Sequence, residues 1–273
     1  MNSVASTPAQ PPVMNSVPST PAQPPVMKAL RRLVAVESKL YLREPVGAFF
    51  GIAFPSVLVL VLGFAMPAFT EPNDDIGGRR PIDLYLAIVF ALAIATVSMV
   101  TLVATLSAYR ERGVLRRLQA TPVSPRSLLT AQIVVNSGAL VVGSLLAFVA
   151  GRLAFDVAGP VNLIGFLVAF LLGTVAMGAV ALLVAAVAPT AAASSGIGTA
   201  VYFPMMFFAG VWTPGPLMPG LAQRIADFTP LGAASAAMQD AWVGDSVAPL
   251  HLVVMAAFAV GLGALSVRLF RWE

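Results

Sequence analysis

The groups in this chain that could do chemistry are few, and most of them are hydroxyls and amides set inside apolar runs. Ser98, Thr101 and Thr105 fall on one face of one such run, and Gln132 and Asn136 share a face of the next. Groups of this kind hydrogen-bond a passing solute, a neighbouring helix or their own backbone carbonyls, but they pair no nucleophile with a base. The one adjacent acidic pair, Asp74 and Asp75, lies in a segment rich in Pro and Gly and reads as solvated. With no cysteine and a single histidine, His251, the chain has no thiolate ligands, no disulfides and almost nothing from which to build a zinc site. His251 reads as an interfacial hydrogen bonder. No G-x-x-x-x-G-K-[ST] occurs, so a P-loop ATPase is excluded and any ATP-derived energy must come from another subunit. The apolar runs hold no Asp, Glu, Lys or Arg, which argues against a proton-coupled carrier.

What remains is a surface for docking. Between Tyr109 and Gln132 the chain reads YRERGVLRRLQATPVSPRSLLTAQ, with Arg110, Arg112, Arg116, Arg117 and Arg126 in one loop between two apolar runs. Val114, Leu115 and Leu118 form a stripe at helical spacing that water alone would not reward, so a cytoplasmic partner is expected there.

The elements that position these groups follow from composition. With 58% hydrophobic and 10% charged residues and a mean hydropathy of +0.88, the chain reads as a polytopic membrane protein. The spacing predicts an all-α integral membrane fold with six transmembrane helices, over 46–67, 84–108, 128–150, 161–188, 191–212 and 248–267. An even number of spans places both termini on one side. Counted on that topology, twelve of the sixteen Lys and Arg fall on the side of the arginine loop and four, Arg79, Arg80, Arg152 and Arg224, on the other. That bias makes the loop and both termini cytoplasmic and gives no support to nucleic-acid binding.

Ahead of the first span, residues from Lys28 to Glu44 predict an amphipathic helix lying in the membrane interface, with Arg43 among its basic residues. Glu37 falls in the middle of the apolar face with no basic residue at i±3 or i±4, so an ionised carboxylate there needs a partner from another segment, or snorkels to lipid headgroups. Residues 1–13 recur almost unchanged as 14–26, a Pro- and Ser-rich repeat with no apolar run, which predicts a disordered tail over 1–27 ahead of the membrane domain, 28–273. Because Met27 opens the next unit, the functional chain is expected to start near it.

From Thr213 to Ala248 the apolar stretches are too short to span and are cut by Pro214, Pro216, Pro219 and Pro230, which predicts short re-entrant or interfacial helices. Phe207, Phe208 and Trp212 sit at its edge. Gly143, Ala147 and Gly151 make one ridge of small residues, and Ala192, Gly196 and Ala200 another; both predict close helix packing.

In three separated motifs the chain resembles the permease subunits of type-2 ABC exporters, the group that includes daunorubicin-type drug-resistance permeases and polysaccharide and lipid exporters. Glu37 followed by Arg43, Glu44 and Pro45 is similar to that family's interfacial helix; ERGVLRRLQATPVSP, Glu111 to Pro125, to its cytoplasmic coupling loop; and FFAGVWTPGPLMPGLAQRIADFTPL, Phe207 to Leu231, to its region between the fifth and sixth spans. The resemblance implies a coupling helix between spans 2 and 3, a partner nucleotide-binding subunit that holds ATP and Mg and receives residues 111–122 in a groove, and a second permease chain, identical or not. This chain then binds no cofactor and is no enzyme. The coupling candidates are Glu111, Arg112, Gly113, Leu115, Arg116, Arg117, Leu118, Thr121 and Pro122. Gly113 can break the second helix, Arg112 and Arg116 can pair with acidic groove residues, and Leu115 with Leu118 can fill the groove; Ser124 and Pro125 then start the third span.

The function implied is a bacterial inner-membrane permease subunit of an ATP-driven exporter. Uncharged spans point to a hydrophobic or amphipathic cargo, and an aromatic content of 8% argues against long carbohydrates. Ser98, Thr101, Thr105, Asn136, Phe207, Phe208 and Trp212 are the candidates for its path. A non-transporting scaffold or signalling partner of an ATPase is the alternative.

Overall fold

Every long apolar run in the sequence becomes a helix, because a backbone in hydrocarbon must satisfy its own N–H and C=O groups. The structure, a computed structural model, describes residues 26–114, 125–213, 218–244 and 246–269. The described residues are mostly helical, with one isolated bridge between Asn73 and Arg79 and no strand among them. Six of their helices are long and apolar enough to cross a membrane: Pro45–Ala65, Pro81–Glu111, Ser127–Phe155, Leu163–Val187, Ala191–Phe208 and Pro249–Leu269, spans 1 to 6. The amphipathic helix Val26–Arg43 precedes them. Between spans 5 and 6 stand two shorter helices, Gly220–Asp227 and Pro230–Val243, the first following Pro219 and the second opening on Pro230 with Thr229 as its N-cap. Pro214 and Pro216, like the repeated tail to residue 25, lie outside the described residues.

Span 2 is the axis of the molecule. Its residues are apolar on every side, and such a helix is stable only when surrounded; from Leu84 to Met99 its side chains are buried among spans 1, 3, 4 and 5 and the helix Pro230–Val243. Both of its ends are fixed by arginine. At one end Arg80 forms a bidentate pair with Asp83 (2.9 and 2.8 Å) and donates to the carbonyl of Phe155, the last residue of span 3, at 2.8 Å. At the other, Arg110 donates to the carbonyls of Ala185 (2.7 Å), Ala186 (3.1 Å) and Ala188 at the end of span 4. Carbonyls at a helix C-terminus lack intrahelical donors and carry partial negative charge, so a guanidinium is suited to both places.

Two of the spans change pitch. Span 1 is π-helical over Phe49–Ala53 and span 2 over Thr96–Leu102, and the two segments lie against each other. The ridge Gly143–Ala147–Gly151 of span 3 packs on span 1 as expected: a Cβ at Gly143 would overlap the Gly51 carbonyl, and one at Gly151 would touch Val59 at 3.5 Å. The other ridge departs from expectation. Ala192, Gly196 and Ala200 are exposed in the chain, and a Cβ at Gly196 would meet nothing. Span 5 approaches span 2 through the opposite face, where Gly198 faces the Met99 carbonyl.

Candidate functional site

The polar centre of the molecule is built on Glu37. The amphipathic helix turns this carboxylate inward, leaving it 7% exposed, while Arg31, Arg32, Lys39 and Arg43 point outward. Glu37 Oε2 accepts from the Tyr109 hydroxyl of span 2 at 2.7 Å and from Gln132 Nε2 of span 3 at 2.5 Å. Gln132 continues the network: its backbone oxygen accepts from Asn136 Nδ2 at 2.8 Å and its Oε1 from the same nitrogen at 3.3 Å. One carboxylate therefore ties three elements together, and its partners come from two other segments, not from headgroups. On the same helix, Tyr41 is buried, which pushes its hydroxyl pKa up to about 12; it stays protonated and donates to the Gly47 carbonyl at 3.2 Å. A Cβ at Gly51 would collide with that hydroxyl, so a larger residue where span 1 passes it would have to move the Tyr41 side chain.

The second feature is the end of span 2. Glu111 Oε2 accepts from the amide of Ala191, the first residue of span 5, at 3.2 Å, next to the Arg110 contacts with the end of span 4. Two adjacent residues of span 2 thus hold both sides of the turn between spans 4 and 5, an anion at a helix N-terminus and a cation at a C-terminus. The helix then stops: Gly113 has φ +64°, a left-handed conformation that glycine adopts without steric cost.

The third is a cavity of about 220 Å³ lined by spans 2, 3, 4 and 6, against the π-helical segment of span 2. Ser98, Asn136, Ser137 and Thr174 are its polar residues, and the rest of its wall is aliphatic or glycine.

Residues 28–241 match the sequence profile of the ABC-2 type transporters. The chain belongs to this family. No curated protein is similar enough to the chain to count as a match. Membership fixes it as a multi-pass membrane permease and implies an ABC ATPase partner; the Glu37 network and the end of span 2 lie wholly within the matched residues.

Of the coupling candidates of this ABC-2 permease, Glu111, Arg112 and Gly113 are described, whereas Leu115, Arg116, Arg117, Leu118, Thr121 and Pro122 lie outside the described residues, as does Ser124. Arg112 is exposed at the helix end. The path candidates fall in separate places in the single chain. Ser98 and Asn136 line the cavity; Thr101 lies beside Gly47 of span 1; Thr105 donates to the Thr101 carbonyl at 2.9 Å and lines the cleft that holds Glu37. The three hydroxyls share a face only at 3.6 residues per turn, and the wider π-helical turn between them breaks that register. Phe207, Phe208 and Trp212 sit at the other end of span 5, where Trp212 stacks on Phe203 with ring centroids 6.4 Å apart.

One functional group escapes a reading of the sequence alone. Arg110 stands there only as a topology signal, and nothing local marks it as a cap for a helix 75 residues away. His251, expected as a hydrogen bonder, faces Asp227 at 3.2 Å and stands 3.7 Å from Asp240, joining span 6 to both short helices.

Proposed function

We propose that this chain is the membrane subunit of an ATP-driven exporter for hydrophobic or amphipathic molecules. ATP is bound with Mg and hydrolysed on a separate nucleotide-binding subunit, which docks on residues 111–122, and a second permease chain completes the transporter. The observation that carries the reading is the grip of span 2 on its neighbours at the arginine-loop end. Arg110 and Glu111 hold the turn between spans 4 and 5, while Tyr109, one residue earlier, holds Glu37 and through it span 3. A push on the loop at Gly113 is therefore delivered at once to spans 2, 3, 4 and 5 and to the amphipathic helix. A topology signal would need arginines beside the membrane but none of these contacts.

The charge bias supports an orientation with this end in the cytoplasm, which in our reading is that of a bacterial cell, where an ATPase has its nucleotide. Spans without charged residues in their apolar stretches suit a cargo without net charge. The test is charge reversal and apolar-to-acidic substitution in the loop. R112E/R116E and L115D/L118D should insert normally and lose both co-purification of the ATPase and substrate-stimulated ATP hydrolysis. Disrupting each desolvated charge pair costs about 2 kcal/mol or more, and apolar anchors usually dominate such grooves. Retained, coupled ATPase in these variants would leave the loop as a topology signal only; ATPase binding without substrate stimulation in the unmodified pair would favour a scaffold.

A further inference from the structure

Glu37 uses only one of its two oxygens in the network that ties the amphipathic helix to spans 2 and 3. Both donors, Tyr109 and Gln132, are on Oε2. Oε1 accepts from no donor among the described residues, yet it is not one of the fully enclosed polar atoms left without a partner, so it faces open space. That space is a cleft of about 360 Å³ between the amphipathic helix and spans 2 and 3, and Glu44, at its exposed edge, lines it too. Among the described residues neither carboxylate forms an ion pair. The cleft therefore holds an anionic oxygen that is open to a ligand and has no donor of its own.

The level of the cleft decides what reaches it. Spans 2 and 3 have 31 and 29 residues, about 46 and 44 Å of helix, enough to cross the hydrocarbon and both headgroup layers, together about 40–45 Å. Tyr109 and Gln132 lie close to the arginine-loop ends of those spans, about 3 and 8 Å inside them at the helical rise, which is the level of lipid headgroups. Leu40 lines the cleft and is 50% exposed on the outer surface, and Ala104 and Ala108 extend the apolar wall. An amphiphile can thus enter from the side with its chains still in lipid. The charges narrow its class. Two carboxylates and the guanidinium of Arg112 share the lining, a pattern that fits an ammonium joined to a phosphate and disfavours a headgroup with negative charge alone. Among the described residues no three acidic or imidazole groups come together to hold a metal ion. An open carboxylate oxygen requires an N–H donor; a primary ammonium carries three and a quaternary one carries none.

We infer that this cleft binds the headgroup of a phosphatidylethanolamine from the leaflet at the arginine-loop end, with the primary ammonium on Glu37 Oε1 and Glu44 as the second negative charge, the phosphate toward Arg112, and the acyl chains leaving past Leu40. The lipid completes the carboxylate on which the amphipathic helix and spans 2 and 3 meet, and fixes that junction in the plane of the membrane. The binding requires neither the ATPase nor transport, so it stands or falls apart from the exporter reading.

The test places the full chain in nanodiscs of phosphatidylethanolamine, phosphatidylcholine and phosphatidylglycerol in equal parts, releases it into mild detergent, and reads the retained lipid by native mass spectrometry. Phosphatidylethanolamine should be retained about tenfold over phosphatidylcholine, the about 1.4 kcal/mol of one hydrogen bond to a charged group, and phosphatidylglycerol least. E37Q keeps an oxygen for Tyr109 and Gln132 and turns an NH2 group to the cleft, so it should erase the preference while the protein stays monodisperse. E44Q lies outside that network, leaves the fold alone, and should at least halve the preference. Equal retention of phosphatidylethanolamine and phosphatidylcholine, or a preference that survives E37Q, overturns the inference, and a preference that E44Q leaves intact removes Glu44 from the site. Displacement of the lipid by glycerophosphoethanolamine at equal concentration overturns it as well, since the ligand is then a free headgroup and not a membrane lipid.

Discussion

Glu37 shows how much the sequence position of a single residue can reveal. Its place on an apolar helical face, without a cation one turn away, already requires a partner from a distant segment if lipid headgroups do not supply one. The identity of the partner is hidden, because Tyr109 and Gln132 are 72 and 95 residues away and nothing local selects them. The geometry sets the expected cost of change. E37L leaves the Tyr109 hydroxyl and the Gln132 amide without their acceptor, at about 1–3 kcal/mol each, and should lower the thermal unfolding temperature in nanodiscs by several degrees. E37Q keeps an oxygen in the same place and should lose less than half as much. Equal loss in both would mean that the negative charge, not the accepted hydrogen bonds, holds the network. Arg110 makes a second case. R110K retains the charge but cannot reach several carbonyls with one planar fork, so it should loosen the turn between spans 4 and 5, seen as faster hydrogen exchange over 185–191, with insertion unchanged.

At the scale of elements, the six spans are legible in the sequence because each is an apolar run of sufficient length bounded by charge, proline or glycine. Their observed limits fall within a few residues of the expected ones. The π-helical segments are not legible, and with them goes the shared face of Ser98, Thr101 and Thr105. A π-helical turn carries no composition of its own here; it arises where two spans press together, and both segments lie in one contact. The two small-residue ridges make the same point, since identical spacing yields one packed seam and one open face. This difference is measurable. G143L must displace the Gly51 backbone and should destabilise the chain by at least the about 1–3 kcal/mol typical of overpacking. G196L has room within the chain; if thermal unfolding of the isolated chain drops as far for it as for G143L, span 5 is not packed through its Gly198 face.

At the scale of the whole molecule, burial sorts the spans into a centre and a periphery, and the least apolar of them, span 5, lies at the periphery. Span 2 is enclosed, whereas spans 1, 5 and 6 leave large apolar side chains such as Phe64, Phe203 and Val260 on the outside. A centre held by arginine at both ends is a natural lever, but the direction of its action depends on which end faces the cytoplasm. The orientation we propose, from the uneven distribution of Lys and Arg, gives that role to the end bearing the arginine loop. Because the chain has no cysteine, single introduced thiols report orientation without background. D74C, at an exposed position in the segment between spans 1 and 2, should react with a membrane-impermeant maleimide in intact cells, and S124C, just ahead of span 3 in the sequence, should react only after the membrane is opened. Reactivity of S124C from outside would invert the molecule, place the proposed docking loop where no ATP is at hand, and remove the exporter reading together with the coupling argument built on Arg110 and Glu111.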